Sequence, residues 1–239
     1  MSWGLGYDLF LMMLTFVDIV LGMILEGGEE LVLDRSKLPW WKRPVDVILS
    51  SLALLVFSPL MCFIALAVKL SSSGGVLFVQ ERPGLHKRPF KLYKFRTMYL
   101  NGDEILNDYI SKHPDARREW EVYRKLKGRD PRVTPVGRIL RRLSLDELPQ
   151  LVNVLKGDMS IVGPRPYLYS EIEKFNVPDE IFTVKPGLTG LWQVSGRNEL
   201  PFEERIKLDL EYVKRLSWSL DVKIMLKTIW VVITGKGAY

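Results

Sequence analysis

Apolar residues in this chain gather into one long run instead of spreading evenly. From Val47 to Val68 no charged side chain interrupts 22 positions (VILSSLALLVFSPLMCFIALAV), which at about 1.5 Å per helical residue reaches across a ~30 Å hydrocarbon core. Ser58-Pro59 falls at its middle. Proline removes a backbone donor and bends a helix, and the serine hydroxyl is able to bond the carbonyl so freed. Both flanks are basic, with Lys37, Lys42 and Arg43 before the run and Lys69, Lys87 and Arg88 after it. Because Lys and Arg collect on the cytoplasmic side, a straight span would break that bias at one end. A helix that turns at Ser58-Pro59 and leaves by the face it entered satisfies both ends. A spanning helix with a proline kink and a buried helix of a soluble core are the alternatives.

A second apolar stretch, Leu9 to Leu25, has 17 residues and carries Asp18 at its centre, where a charge costs roughly 2.5 to 3.5 kcal/mol on insertion scales. No basic residue precedes it and no small-residue cleavage site follows, so a secretory signal peptide is not expected. Three parts are therefore expected: an extension over 1–40 that packs on the membrane element or on a partner, a re-entrant membrane helix over 41–73, and a cytoplasmic domain over 74–239.

Within that last part, VLFVQ (Val76 to Gln80) and FKLYKFRTM (Phe90 to Met98) read as two strands joined by the turn-rich RPGLHKRP, a β-hairpin. Residues 103–127 place Ile105, Tyr109, Trp120 and Tyr123 at helical spacing among dense charges, with a break at Pro114. The run VGRILRRLSLDELPQLVNVLKG predicts an arginine-bearing helix, a break, and a second helix ending at Gly157. Beyond a Pro-rich loop come a short acidic helix from about Tyr169, a strand-like LWQV, and a helix from Phe202 to about Trp218. From Asp221 to Ile233 a basic amphipathic pattern suits a helix lying in the membrane interface, and core packing explains it nearly as well. The fold class expected is α+β, helix-dominated and membrane-associated, with interfacial amphipathic helices and one small hairpin.

The 34 Lys and Arg outnumber the 28 Asp and Glu, which favours anionic partners: nucleic acid, anionic lipid or phosphorylated small molecules. No nucleic-acid motif or strip of stacking aromatics is present, so nucleic acid is not expected. Cys62 is the single cysteine, leaving no disulfide framework and no cysteine metal site.

Ser144-Leu145-Asp146-Glu147 is the sharpest local feature, since Ser with Glu three residues on forms a capping box. Glu147 is then a cap and Asp146 a helix-dipole residue. The same geometry puts Asp146 in a first helical turn, where unpaired N–H groups favour phosphate. One turn upstream, Arg138, Arg141 and Arg142 fall at i, i+3 and i+4 and form one basic face able to hold a diphosphate. Adjacent acids also suit Mg²⁺, which prefers one or two carboxylates together with substrate phosphate oxygens. Arg165 stands between Pro164 and Pro166, stiff enough for a fixed anion contact and equally for an ordinary turn.

Lys94 to Met98 (KFRTM), Leu143 to Leu151 (LSLDELPQL), Gly157 to Pro166 (GDMSIVGPRP) and Lys185 to Asn198 (KPGLTGLWQVSGRN) together resemble the successive motifs of the bacterial sugar transferase family, the monotopic polyprenyl-phosphate phosphoglycosyl transferases. The resemblance runs from about Leu38 to the C-terminus. It implies a re-entrant helix with a proline break and a catalytic domain on the cytoplasmic face of the bacterial inner membrane. Further, it implies Asp146 as a nucleophile on the β-phosphate of a UDP-sugar, UMP as the leaving group, and undecaprenyl phosphate as the acceptor. Glu147 would ligate Mg²⁺ with Asp146 or assist the acceptor. Arg141 and Arg165 would hold phosphates, Arg197 would face the sugar nucleotide or lipid phosphate, and Lys94 and Arg96 would make secondary contacts.

The wording GLWQVSGRN resembles the branch that transfers glucose 1-phosphate or galactose 1-phosphate at the start of capsule, exopolysaccharide or O-antigen synthesis. That branch usually carries further N-terminal membrane helices and a soluble domain, whereas about 40 residues precede the core here. A homodimer is a further expectation. The rival from another class is a membrane-anchored Mg²⁺-dependent phosphohydrolase, with water as acceptor.

Overall fold

The computed structural model describes residues 39–123, 126, 130–197 and 200–234. The extension before them, with its apolar stretch Leu9 to Leu25, lies outside the described residues, as does the side chain of Tyr123. In chain order the elements are α1 (Lys42–Ser71), β1 (Leu77–Pro83), β2 (Pro89–Phe95), α2 (Gly102–Lys112), α3 (Pro114–Tyr123), α4 (Pro135–Leu143), α5 (Gln150–Lys156), β3 (Ser160–Val162), α6 (Tyr169–Phe175), β4 (Gly187–Thr189), α7 (Leu191–Ser195), α8 (Phe202–Arg215) and α9 (Trp218–Thr234). Helices dominate and the sheets are small, which is the α+β class read from the pattern.

The apolar run forms α1, and only 17% of its most apolar window is buried. The core helix of a soluble domain would be mostly buried, so the exposure of α1 favours a membrane-embedded helix. Instead of breaking at Ser58-Pro59, α1 continues through Pro59. Proline there withholds a hydrogen bond from the Leu55 carbonyl, and Ser58 Oγ supplies one to the same oxygen at 3.0 Å. That bond lets the helix continue.

Both ends of α1 bear on the same domain, by different chemistry. Near its start, Lys42, Asp46 and Ser50 recur every four residues and are buried. Lys42 Nζ donates to Asp221 Oδ2 at 2.7 Å, to the Tyr212 hydroxyl at 2.8 Å and to the Val162 carbonyl. Asp46 Oδ1 accepts from Ile161 N–H at 2.8 Å and Ser160 Oγ at 3.0 Å. Buried charges persist when paired and hydrogen-bonded in this way. Near its other end, Met61, Ile64, Ala65 and Val68 form an apolar stripe against Leu140 and Phe95. Between these anchors Leu52, Leu55, Val56 and Phe57 stand exposed.

The hairpin pairs Leu77 with Phe95 through to Pro83 with Pro89. A proline at each of these last positions ends the ladder, because neither can donate. At the far side of β2, α4 begins on Thr134, whose hydroxyl accepts from Gly137 N–H at 2.9 Å, with Pro135 in the first turn. A Cβ on Gly137 would lie 2.2 Å from the Thr97 carbonyl oxygen, so only glycine permits this close approach of α4 to the strand end. Next, α5 is tied to β2 through Asn153, which accepts from Tyr93 N–H and donates to the Lys91 carbonyl.

Strands β3 and β4 form a short parallel pair that sequence reading does not foresee, Ser160 against Gly187 and Val162 against Thr189. Strand-like LWQV is in fact α7, with Trp192 buried. Its aromatic and β-branched composition follows from that burial, not from a ladder. In α9, Asp221 and Ile224 turn inward while Lys223, Leu226, Lys227, Ile229 and Trp230 are exposed. The basic amphipathic face therefore points outward.

Candidate active site

One face of the hairpin supplies a wall of the site. With side chains alternating along strands, Phe78 stands opposite Lys94 and Gln80 opposite Leu92. These four, with Arg82 and Arg96, line a cavity of about 540 Å³ that also takes in Arg141, Ser144, Asp146, Glu147, Gln150, Arg165, Pro166, Trp192, Gln193 and Arg197. Among its lining residues cations outnumber carboxylates seven to three, a balance suited to polyphosphate.

Asp146 and Glu147 lie in a one-turn 3-10 segment, Leu145–Glu147. The capping-box expectation is overturned here. Ser144 adopts the left-handed conformation at φ 56° and closes α4, its N–H donating to the Arg141 and Leu140 carbonyls, and its hydroxyl caps nothing. A residue closing one helix this way is unavailable as the extended N-cap of the next. Accordingly α5 starts only at Gln150, after Pro149, and Asp146 is not in its first turn.

Partners separate the two acids. Glu147 Oε1 takes Lys94 Nζ at 2.6 Å. Burial pushes its carboxyl up, but the charge and hydrogen bond of Lys94, helped by Arg165 and Arg197, outweigh that and hold it below the ordinary range. Asp146 accepts from no other side chain among the described residues. Burial first, then the Glu147 charge beside it, pushes its carboxyl above the ordinary range, against the pull of Lys94 and Arg141. One acid is thus neutralised and fixed, and the other is left with its lone pairs free.

Around them the expected cations take different duties. Of the three arginines of α4, only Arg141 lines the cavity, because the helix buries Leu140 against α1 and turns the expected common face away. Arg141 Nε donates to Thr97 Oγ1 at 2.9 Å. Arg197, at φ 51°, reaches back to Ser144 Oγ at 2.8 Å. Arg165 Nη2 pairs with Glu171 Oε1 at 2.9 Å, and its guanidinium lies over the Trp192 ring. Arg96 is buried and committed to the carbonyls of Ser72 and Ser73, closing the turn after α1. Pro164 is absent from the cavity lining; its carbonyl accepts from Gly187 N–H at 2.8 Å and braces the loop, while Pro166 lines the wall.

Lys94, Arg141, Asp146, Glu147, Arg165, Pro166 and Arg197 are thus brought together, as the motif reading requires. It missed Arg82, Gln150, Trp192 and Gln193. For Arg82 a signal was present: Phe78, Gln80 and Arg82 share one face at strand period, beside Lys94.

A family model described as bacterial sugar transferase matches residues 37–235. The chain belongs to the bacterial sugar transferase family. It is 47% identical over 199 residues to exopolysaccharide production protein ExoY of Rhizobium meliloti (strain 1021), covering 83% of this chain and 88% of that protein. It is also 47% identical over 202 residues to the undecaprenyl-phosphate galactose phosphotransferase of Salmonella typhimurium, covering 83% of this chain and 41% of that protein. With the UDP-glucose:undecaprenyl-phosphate glucose-1-phosphate transferase of Escherichia coli (strain K12) identity is 43% over 208 residues, again 83% of this chain and 41% of the relative. The chain therefore matches ExoY along most of that protein's length, and less than half of the two longer relatives.

Proposed function

We propose that this sugar transferase moves a hexose 1-phosphate from a UDP-sugar to undecaprenyl phosphate through an aspartyl sugar-phosphate, releasing UMP. The difference between the two acids carries the reading: Glu147 is paired with Lys94 and Asp146 accepts from no other side chain among the described residues. An Asp146 carboxylate oxygen attacks the sugar-bearing β-phosphorus, and the bond from that phosphorus to the oxygen shared with the α-phosphate breaks, so UMP departs with the electron pair. An oxygen of undecaprenyl phosphate then attacks the same phosphorus. The aspartyl bond breaks, Asp146 regains its charge, and a lipid-linked sugar diphosphate leaves.

Arg141, Arg165 and Arg197 neutralise and orient the phosphates, as phosphoryl transfer rests mainly on positioning and electrostatics. Lys94 holds Glu147 and lowers the Asp146 carboxyl. No group of three or more acids, His or Cys forms a metal cage among the described residues. Asp146 and Glu147 are the residues that would hold Mg²⁺, the one or two carboxylates that ion takes together with substrate phosphate. When bound, it would neutralise phosphate charge.

Helices α1 and α9 support the membrane setting. Both ends of α1 are anchored in one domain, and both flanks are basic, which favours entry and exit on the cytoplasmic face of the inner membrane. The outward apolar and basic residues of α9 fit the interface beside it. The names of the relatives support the acceptor and the pathway, exopolysaccharide synthesis, and leave glucose and galactose as the two candidate sugars. They do not favour the phosphohydrolase alternative.

Detergent-purified protein with Mg²⁺, given UDP-glucose or UDP-galactose with and without undecaprenyl phosphate, tests the reading. Lipid-dependent UMP release with a lipid-linked product supports it and names the sugar. UDP as product, or UMP release with free sugar phosphate and no lipid requirement, contradicts it.

A further inference from the structure

The loop between β3 and α6 carries Arg165 into the site, and its neighbours are fixed by backbone contacts on either side. Gly163 N–H donates to Thr189 O, Pro164 O accepts from Gly187 N–H, and Pro166 O accepts from Arg82. Arg165 itself is held at its backbone by a side chain from elsewhere. Asp209, fully buried on α8, accepts the Arg165 backbone N–H at 3.1 Å and the Tyr167 hydroxyl at 2.6 Å through the same oxygen, Oδ2. Its other oxygen, Oδ1, is buried and has no partner among the described residues. Burial pushes the Asp209 carboxyl up to about 7, against the hydrogen bonds of Tyr167 and Arg165 that hold it down. A carboxylate is kept in this buried position at such cost because an apolar side chain there would leave the Arg165 N–H and the Tyr167 hydroxyl without this acceptor.

We infer that Asp209 is a positioning residue: it fixes the Arg165 backbone so that the guanidinium, seated between Glu171 and Trp192, meets the donor diphosphate. Asp209 is absent from the cavity lining and acts through Arg165 alone. This rests on the transferase reading for the identity of the anion.

A double-mutant cycle separates positioning from bulk stability. Asp209→Ala, Arg165→Ala and the pair are compared for donor KM and kcat in the UMP-release assay, and for pyrophosphate binding by calorimetry. Loss of one charge-assisted contact predicts a ~10-fold rise in donor KM and in pyrophosphate Kd for Asp209→Ala, with kcat less affected. In the Arg165→Ala background the same change adds less than about twofold. Asp209→Asn, whose carbonyl oxygen accepts the same two bonds, restores most of the affinity. Losses that multiply in the double variant, or an unchanged donor KM in Asp209→Ala, overturn the proposal.

If Asp209→Ala does not melt cooperatively, Tyr167→Phe takes its place in the cycle. It is expected to raise donor KM in the native background and not beside Arg165→Ala; equal rises in both overturn the proposal. Coupled pyrophosphate binding in a protein that releases no UMP keeps the positioning role and removes the transferase reading.

Discussion

On the turn Leu145–Glu147 the Asp146 carboxylate accepts from no other side chain among the described residues, whereas Arg165, on the facing loop, is held at its backbone by Asp209 and at its guanidinium by Glu171 and Trp192. Both line one cavity. Under the proposed mechanism the contrast matches what each group has to do. A nucleophile needs a lone pair uncommitted to neighbours, and a phosphate-holding cation gains from being fixed before substrate arrives. Leaving Asp146 loose costs stability, since its carboxyl is raised by burial and by Glu147, a cost that the proposed mechanism explains by reactivity.

Removing the free group should have the largest effect. Asp146→Asn is nearly isosteric and is expected to lower kcat roughly 10⁴-fold or more. Because the native charge is disfavoured where it sits, the melting temperature should be unchanged or higher. Lost activity together with a lowered melting temperature would blur the contrast.

On the held side, Arg165→Ala should cost about 1.5 to 3 kcal/mol of transition-state binding, read in kcat/KM for the donor. A smaller change follows from Glu171→Gln, which keeps the capping acceptor to Leu168 N–H and replaces the oxygen facing Arg165 by an amide NH₂, removing the ion pair. Its side chain is about one-fifth exposed, so a few-fold rise in donor KM is expected and should shrink in high salt. A salt-independent effect would mean that Glu171 acts through the start of α6 instead.

The smallest expected change is one of pH. In the proposed mechanism turnover needs ionised Asp146, so its raised pKa predicts that activity falls, as pH drops, earlier than for an ordinary carboxylate. Lys94 pulls that pKa down, so Lys94→Met should move the acid limb of the kcat/KM profile to higher pH. An unmoved limb would separate Lys94 from Asp146.

Much of this was legible in the chain. The charge-free run from Val47 to Val68 specifies α1, the run from Val136 predicts α4, and the turn-rich RPGLHKRP joins the two strands of the hairpin. Sequence motifs also gathered most of the site. What escaped depended on tertiary context. The Ser144 pattern reads as a helix start, yet the backbone of Ser144 is needed to close α4. LWQV has strand composition but is a short helix that buries Trp192. Asp209 sits in LDLEYV with nothing local to distinguish it. Its meaning appears only once β3 brings Arg165 beside it.

The central claim is a covalent bond at Asp146, and intact-mass analysis after mixing with UDP-glucose or UDP-galactose and Mg²⁺, without lipid, tests it most directly. The native protein should gain one hexose phosphate with one of the two donors, lose it on adding undecaprenyl phosphate, and show no gain as Asp146→Asn. An adduct that forms equally in Asp146→Asn, or lipid-linked product from native protein that never carries the adduct, would contradict it.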